Sequence, residues 1–143
     1  MLQKPKQKRS LDRINKILDA SDALLIEGNI SSLSIARVSQ RAELKRTSTY
    51  KFFETPDDIK YALIKRYLER CNTHLKNNIT FRKEAEYSQC LKESVEAIIE
   101  FFKNNPGAQK LILENTVSPP VLSADLHLIA ESILNHVEKS IGL

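Results

Sequence analysis

The densest run of chemically capable side chains is Lys45-Arg46-Thr47-Ser48-Thr49-Tyr50-Lys51, which closes on Phe52-Phe53. Seven consecutive hydrogen-bond donors with two aromatics behind them suit a helix that faces a polyanion: guanidinium and ammonium groups neutralise phosphate, and hydroxyls hydrogen-bond to it. Covalent chemistry has far less support. Cys71 and His74 stand at i, i+3 and could form half of a metal site, but no second pair follows at ligand spacing. His127 and His136 are isolated, and the chain has no Ser/His/Asp order, glycine-rich phosphate loop or set of convergent carboxylates. No enzyme activity, metal or cofactor is expected. Glu93, Glu96 and Glu100 share one helical stripe and read as a solvated face.

The charge is placed where that run lies. Residues 1–53 carry 11 Lys+Arg against 5 Asp+Glu, whereas residues 54–143 carry 11 against 13, so a basic head precedes a near-neutral body. Phosphate neutralisation supplies most non-specific binding to nucleic acid, which makes the head the expected partner of DNA. A merely solubilising surface is the bland alternative. The 143 residues suffice for one domain or a small head fused to a second core. No apolar run approaches the roughly 20 residues that cross a bilayer, so no membrane contact is expected. The basic N-terminus lacks an apolar region and a cleavage site, which makes the cytoplasm the expected compartment. Cys71 and Cys90 fall in helical patterns and read as reduced thiols.

The elements that must position the run are helical. Residues 1–9 read as a basic disordered arm. Ser10 reads as the cap of a helix with Ile14, Ile17, Leu18, Ser21, Leu24 and Leu25 on one face, stopped by the left-handed tolerance of Gly28-Asn29. Ser34 caps a short helix carrying Ile35, Val38 and Ala42; after a break at Glu43-Leu44 the donor-rich helix follows. Thr55-Pro56-Asp57-Asp58 is a strong helix start, with a cap, proline at the first position and two carboxylates at the positive dipole end. That helix carries Ile59, Ala62, Leu63, Leu68, Cys71 and Leu75 to about Lys76. A further helix over 83–103 places Leu91, Val95, Ile98, Ile99 and Phe102 on its apolar face. A short helix over 108–114, a proline-rich loop over 115–120 and a final Ser123-capped helix with Leu126, Ile129, Ala130, Ile133, Leu134, Val137 and Ile141 complete an all-α chain. The expected organisation is a three-helix helix-turn-helix head over 10–54 and a helical body over 55–143.

The stretch from Ile17 to Ile59 resembles the DNA-binding head of the TetR (tetracycline repressor) family of transcriptional regulators. The family pattern of Leu-Phe-x-x-x-Gly, a Ser/Thr-capped helix with Ile-Ala, Ala-Gly-Val-Ser, and a Tyr and Phe three residues apart is met by Leu24-Leu25, Ser34 to Val38, Ala42-Glu43-Leu44-Lys45, and Tyr50 with Phe53. The resemblance implies base contacts from Arg46, Thr47 and Ser48 in the major groove and phosphate contacts from Ser34, Lys45, Tyr50 and Lys51. Arg37 and Arg41 are possible additional DNA contacts. It further implies double-stranded operator DNA as the partner, a homodimer, and a small-molecule effector that releases a repressor. A pocket among the body helices would include Leu63, Ile98 and Phe102. The competing expectation is a shortened TetR-like interaction protein without specific DNA binding.

Three departures bear on those alternatives. Glu43 stands at the family's turn glycine, where a positive φ would cost on the order of 1 kcal/mol. Pro56 replaces a phosphate-contacting lysine, leaving backbone N–H groups to substitute, and Thr49 replaces a leucine, giving less apolar area under the recognition helix. The sequence ends at Leu143, after what resembles the helix preceding the family's dimerising pair, so the expectation is a substitute seam on the final helix, the alternative being a truncated or partly impaired regulator.

Overall fold

The computed structural model describes residues 5–78 and 87–113. Every regular element among them is helical: α1 (Pro5–Glu27), a 3₁₀ turn (Ile30–Ser32), α2 (Ile35–Arg41), α3 (Arg46–Tyr50), α4 (Pro56–Asn78), α5 (Tyr87–Asn104), and α6 (Pro106–Ala108), which continues as a π-helical turn (Gln109–Leu113). The chain divides into two compact units between Leu63 and Ile64, within α4, where the sequence placed the boundary at 54/55. The proline-rich loop and the final helix expected over 123–141 lie outside the described residues.

In the first unit α1 packs on α2, and α2 on α3. The expected face of α1 is inward: Ile17, Leu18, Ser21 and Leu25 are buried, and the Ser21 hydroxyl is satisfied by the Ile17 carbonyl at 2.7 Å. Two details of α1 differ from the sequence reading. The helix opens at Pro5 instead of Ser10, because proline at a first helical position loses no hydrogen bond and is preset in φ. The stop at Gly28-Asn29 is not left-handed; Asn29 is extended at φ −146°, and a Cβ on Gly28 would lie 2.5 Å from the Ser32 Oγ. Glycine leaves room there for the Ser32 hydroxyl of the turn that follows.

Helices of seven and five residues cannot persist alone, since isolated helices under about 12 residues are marginal in water. Burial holds them. Ile35, Val38 and Ala42 of the α2 segment are buried beside Leu33, Phe53, Ile59 and Leu63 in the same unit, each large side chain contributing roughly 1.5–3 kcal/mol. Helix α4 begins as expected and with a reciprocal cap: the Asp58 N–H donates to the Thr55 Oγ1 at 3.2 Å, while the Asp58 carboxylate accepts from the N–H groups of Thr55 (3.0 Å) and Glu54 (3.2 Å).

The second unit contains the rest of α4, with Ile64, Tyr67, Cys71 and Leu75 buried. The end of α4 is closed by Asn78, whose Nδ2 donates to the His74 carbonyl at 2.8 Å. Helix α5 corrects the sequence reading. Among its described side chains Ser94, Ala97 and Phe101 are buried, whereas Leu91, Val95 and Ile99, expected on the core face, are exposed. The apolar arc of α5 is wider than one contact face, so hydrophobicity alone did not say which part is covered. Its last carbonyls are satisfied by side-chain amides, Asn105 Nδ2 to Phe101 at 2.7 Å and Gln109 Nε2 to Phe102 at 2.7 Å. The next segment opens at Pro106, two residues before the expected Ala108, and buries Ala108, Leu111 and Ile112.

Candidate nucleic-acid interface

The geometry of α2, its turn and α3 is set by four devices. Ser34 caps α2, its Oγ accepting the Arg37 N–H at 3.1 Å and keeping its own proton for a further acceptor. At the other end the Glu43 N–H donates to the Gln40 carbonyl (3.1 Å) and the Leu44 N–H to the Ser39 carbonyl (2.9 Å), the paired bonds that close a helix through a left-handed residue. That residue is Glu43, at φ 57°, the only non-glycine with positive φ among the described residues. A carboxylate residue thus occupies a glycine position and carries the expected strain.

The third device was not legible as an apolar pattern. Thr49 is fully buried, and its Oγ1 lies 2.8 Å from the Ser39 Oγ of α2, which is in turn 2.6 Å from the Ile35 carbonyl. A serine hydroxyl has one proton and a carbonyl can only accept, so when Ser39 donates to Ile35 the Thr49 hydroxyl donates to Ser39. Thr49, a departure from the apolar residue of the resemblance, is therefore a polar pin between α2 and α3. Ser39 was not singled out in the sequence; a serine on the buried stripe of α2, ten residues before a threonine on the next helix, was the available signal.

The fourth device engages Arg41, one of the possible additional DNA contacts. Its guanidinium makes a two-pronged pair with the Glu27 carboxylate at 3.0 and 2.5 Å, tying the end of α2 to the end of α1. Both side chains are about half exposed, so the pair contributes little to stability.

What α3 presents outward is Arg46, Thr47, Tyr50 and Lys51, all exposed, with Lys45 exposed at its N-cap and Ser48 half-buried. Tyr50 is 51% exposed, while Phe53 is buried. Arg37 is exposed on α2 and Ser34 half-buried. The turn between α2 and α3 thus gathers two ammonium groups, two guanidinium groups, three hydroxyl donors and a phenol into one helix-turn-helix segment. The start of α4 differs: the backbone N–H groups of Glu54 and Thr55, available in principle for phosphate in place of the missing lysine, are occupied by Asp58.

The remaining candidate residues fall in the two units separately. Leu63 is fully buried in the first; Ile98 and Phe102 are half-buried on α5 in the second. A shallow groove of about 310 Å³ within the second unit is lined by Arg66, Glu69, Arg70 and Thr73 of α4. Cys71 is a buried free thiol whose pKa is pushed up to about 11 by desolvation, which disfavours the thiolate that a metal would need. His74 turns to α5, its Nε2 3.7 Å from a Glu100 carboxylate oxygen and its ring 6.1 Å from that of Phe101. Glu100, expected as part of a purely solvated stripe, thus has an ionisable neighbour.

Among the described residues no three His, Cys, Asp or Glu side chains converge as a metal site, and no helix is long and apolar enough to cross a membrane. No family sequence model matches the chain, and no curated protein matches it by sequence. Solved structures do match. A TetR-family transcriptional regulator from Streptomyces coelicolor aligns with a TM-score of 0.71 and 24% identity over 91% of this chain and 69% of its own. The multidrug binding protein EbrR, solved in complex with imidazole, aligns with a TM-score of 0.70 and 18% identity over 96% of this chain and 69% of its own. The order α1, α2, turn, α3, α4 and the helices that follow give this chain the all-α fold of the TetR-family transcriptional regulators.

Proposed function

We propose that the chain is a TetR-type transcriptional regulator that binds double-stranded operator DNA through α2 and α3, acting as a homodimeric repressor released by a small-molecule effector. The observation that carries the reading is the outward set of Lys45, Arg46, Thr47, Tyr50 and Lys51 on a helix whose inner side is fixed by Thr49 and Phe53. Arg46, Thr47 and Ser48 stand at the start of α3, where side chains reach base edges in the major groove, and an arginine there can pair with the O6 and N7 of guanine. Lys45, Tyr50, Lys51, Ser34 and Arg37 take phosphates and fix the register. Arg41, held by Glu27, has the smallest part. The effector is a small organic molecule taken up by the second unit, a reading supported by the fold shared with the multidrug binding protein EbrR.

Selection of bound sequences from a random DNA pool tests the proposal. The expected product is a palindrome with half-sites about one helical turn (~34 Å) apart. About four phosphate contacts per head predict a log–log salt slope near −3 to −4 per head. Absence of binding to any fragment at low salt would overturn it in favour of an interaction protein that keeps the fold, a reading to which Glu43 and the acidic, internally satisfied start of α4 lend weight.

A further inference from the structure

Most of the positive balance of the head lies outside its helix-turn-helix. Residues 1–16 carry 6 Lys+Arg against 1 Asp, whereas residues 17–53 carry 5 Lys+Arg against 4 Asp+Glu. The structure sets that stretch on a helix instead of a disordered arm: α1 opens at Pro5, and its first buried side chain among the described ones is Ile17. Lys8, Arg9, Arg13 and Lys16 are exposed. Cations near the start of a helix oppose its macrodipole, and α1 has no acid in its first turn and no base in its last. The pattern works against the helix that carries it, so helix stability is not what it serves.

The same cations are placed on a definite side of α1. At about 100° per residue, Arg9, Arg13 and Lys16 fall within roughly 60° of arc and span about 10 Å of the helix. Glu27 stands 18 residues beyond Arg9, about five full turns, and so shares that arc. Through Glu27 the arc meets the Arg41 guanidinium of α2 at 3.0 Å, and Ala20, inside the same arc, is buried. The stripe therefore runs along the side of α1 that is turned to α2. Asp12 and Asp19 lie outside the arc. Among the described residues Arg41 has an ion-pair partner, whereas Arg9, Arg13 and Lys16 have none.

We propose that Arg9, Arg13 and Lys16 are a second phosphate-binding stripe, which holds the backbone of double-stranded DNA beside the part that α2 and α3 cover. It rests on the DNA reading above and extends it to α1. Charge and spacing select this occupant. A stripe of about 10 Å matches some three base steps of one strand at 3.4 Å each, so the three cations meet phosphates of a single strand. Each guanidinium forks onto phosphate oxygens from a helix that is already formed. The start of α4 cannot serve in its place, because the N–H groups of Glu54 and Thr55 are taken by Asp58. At about 0.9 per contact, the stripe adds to the slope of the α2 and α3 contacts and brings it to roughly −6 per head.

Titration of the full chain with a duplex of unrelated sequence, at several salt concentrations, tests the stripe. Arg9→Gln, Arg13→Gln and Lys16→Gln combined should weaken binding by roughly 100-fold near 0.1 M salt and flatten the slope by about 2 to 3 per head. Lys65→Gln, Lys92→Gln and Lys103→Gln combined make the same charge change in the second unit and should stay within ~3-fold of wild type, with the slope kept. Glutamine is a good helix former, and circular dichroism checks that both variants keep the wild-type helix content. Equal losses from the two triple variants, or a stripe variant that binds as wild type, overturn the stripe. Lys51→Ala reads α3 in the same titrations: if it changes nothing while the stripe variant still loses affinity, the α2 and α3 reading fails and the stripe stands. A wild-type chain that binds no duplex at low salt overturns both.

Discussion

The contact most open to a quantitative test is the hydroxyl pair between α2 and α3. Thr49 has no exposed surface and its Oγ1 lies 2.8 Å from the Ser39 Oγ, itself 2.6 Å from the Ile35 carbonyl. In Ser39→Ala the Thr49 hydroxyl loses its acceptor inside the unit, a cost of about 1–3 kcal/mol. Thr49→Val is cheaper, about 1 kcal/mol or less, because Ser39 still donates to Ile35 and only an acceptor site is left empty. The double variant removes both polar groups and should recover much of the loss, giving a coupling of about 1 kcal/mol or more. For a chain of this length 1 kcal/mol moves the melting temperature by roughly 2–4 °C, so Ser39→Ala should melt about 2–12 °C low, and the double variant closer to wild type. Thermal and urea unfolding followed by circular dichroism measure all three. DNA affinity should fall with Ser39→Ala, since α3 has only five residues and is held by that contact. Strictly additive losses, or a harmless Ser39→Ala, would refute the pin.

Arg46→Ala should relax base preference at one position per half-site, whereas Lys51→Ala should weaken all sequences about equally and flatten the salt slope by about 1; titrations at several salt concentrations separate the two. Glu43→Gly should stabilise the head by about 1 kcal/mol, because the left-handed φ of 57° is unstrained in glycine, and should tighten DNA binding by removing a carboxylate beside α3. A lower melting temperature with weaker binding would count against that turn. The Cys71 thiol, raised by burial from 9.0 to about 11, favours the folded state in its protonated form. Its contribution is complete below pH 9 and is lost as pH rises toward 11, by on the order of 2 kcal/mol. Cys71→Ala should remove that part of the alkaline loss of stability in urea unfolding at pH 8 and pH 11.

What the sequence determined by itself were the features written in local chemistry. Thr55, Pro56 and Asp58 specify a helix start because cap, preset φ and carboxylate act within one turn, and the start is where they place it. Ser34 caps α2 for the same reason. The inward faces of α1 and α2 were readable because apolar residues recur there at helical spacing over a narrow arc. The exposure of Lys45, Arg46, Thr47, Tyr50 and Lys51 was readable from donor density, whereas the burial of Thr49 within the same run was not. Tertiary structure decided whatever depends on which distant group is near. Ser39 and Thr49 lie ten residues apart and are ordinary polar residues until two helices meet, and Arg41 looked like one more phosphate donor until Glu27, 14 residues earlier, came within 3.0 Å. On α5 both sides of a wide apolar arc satisfy the same periodicity, so local pattern could not choose between them. Packing chose Ser94, Ala97 and Phe101, a small–small–large row that admits a close neighbour, and left Leu91, Val95 and Ile99 outside, because burial is set by the shape of what lies opposite and not by hydrophobicity alone.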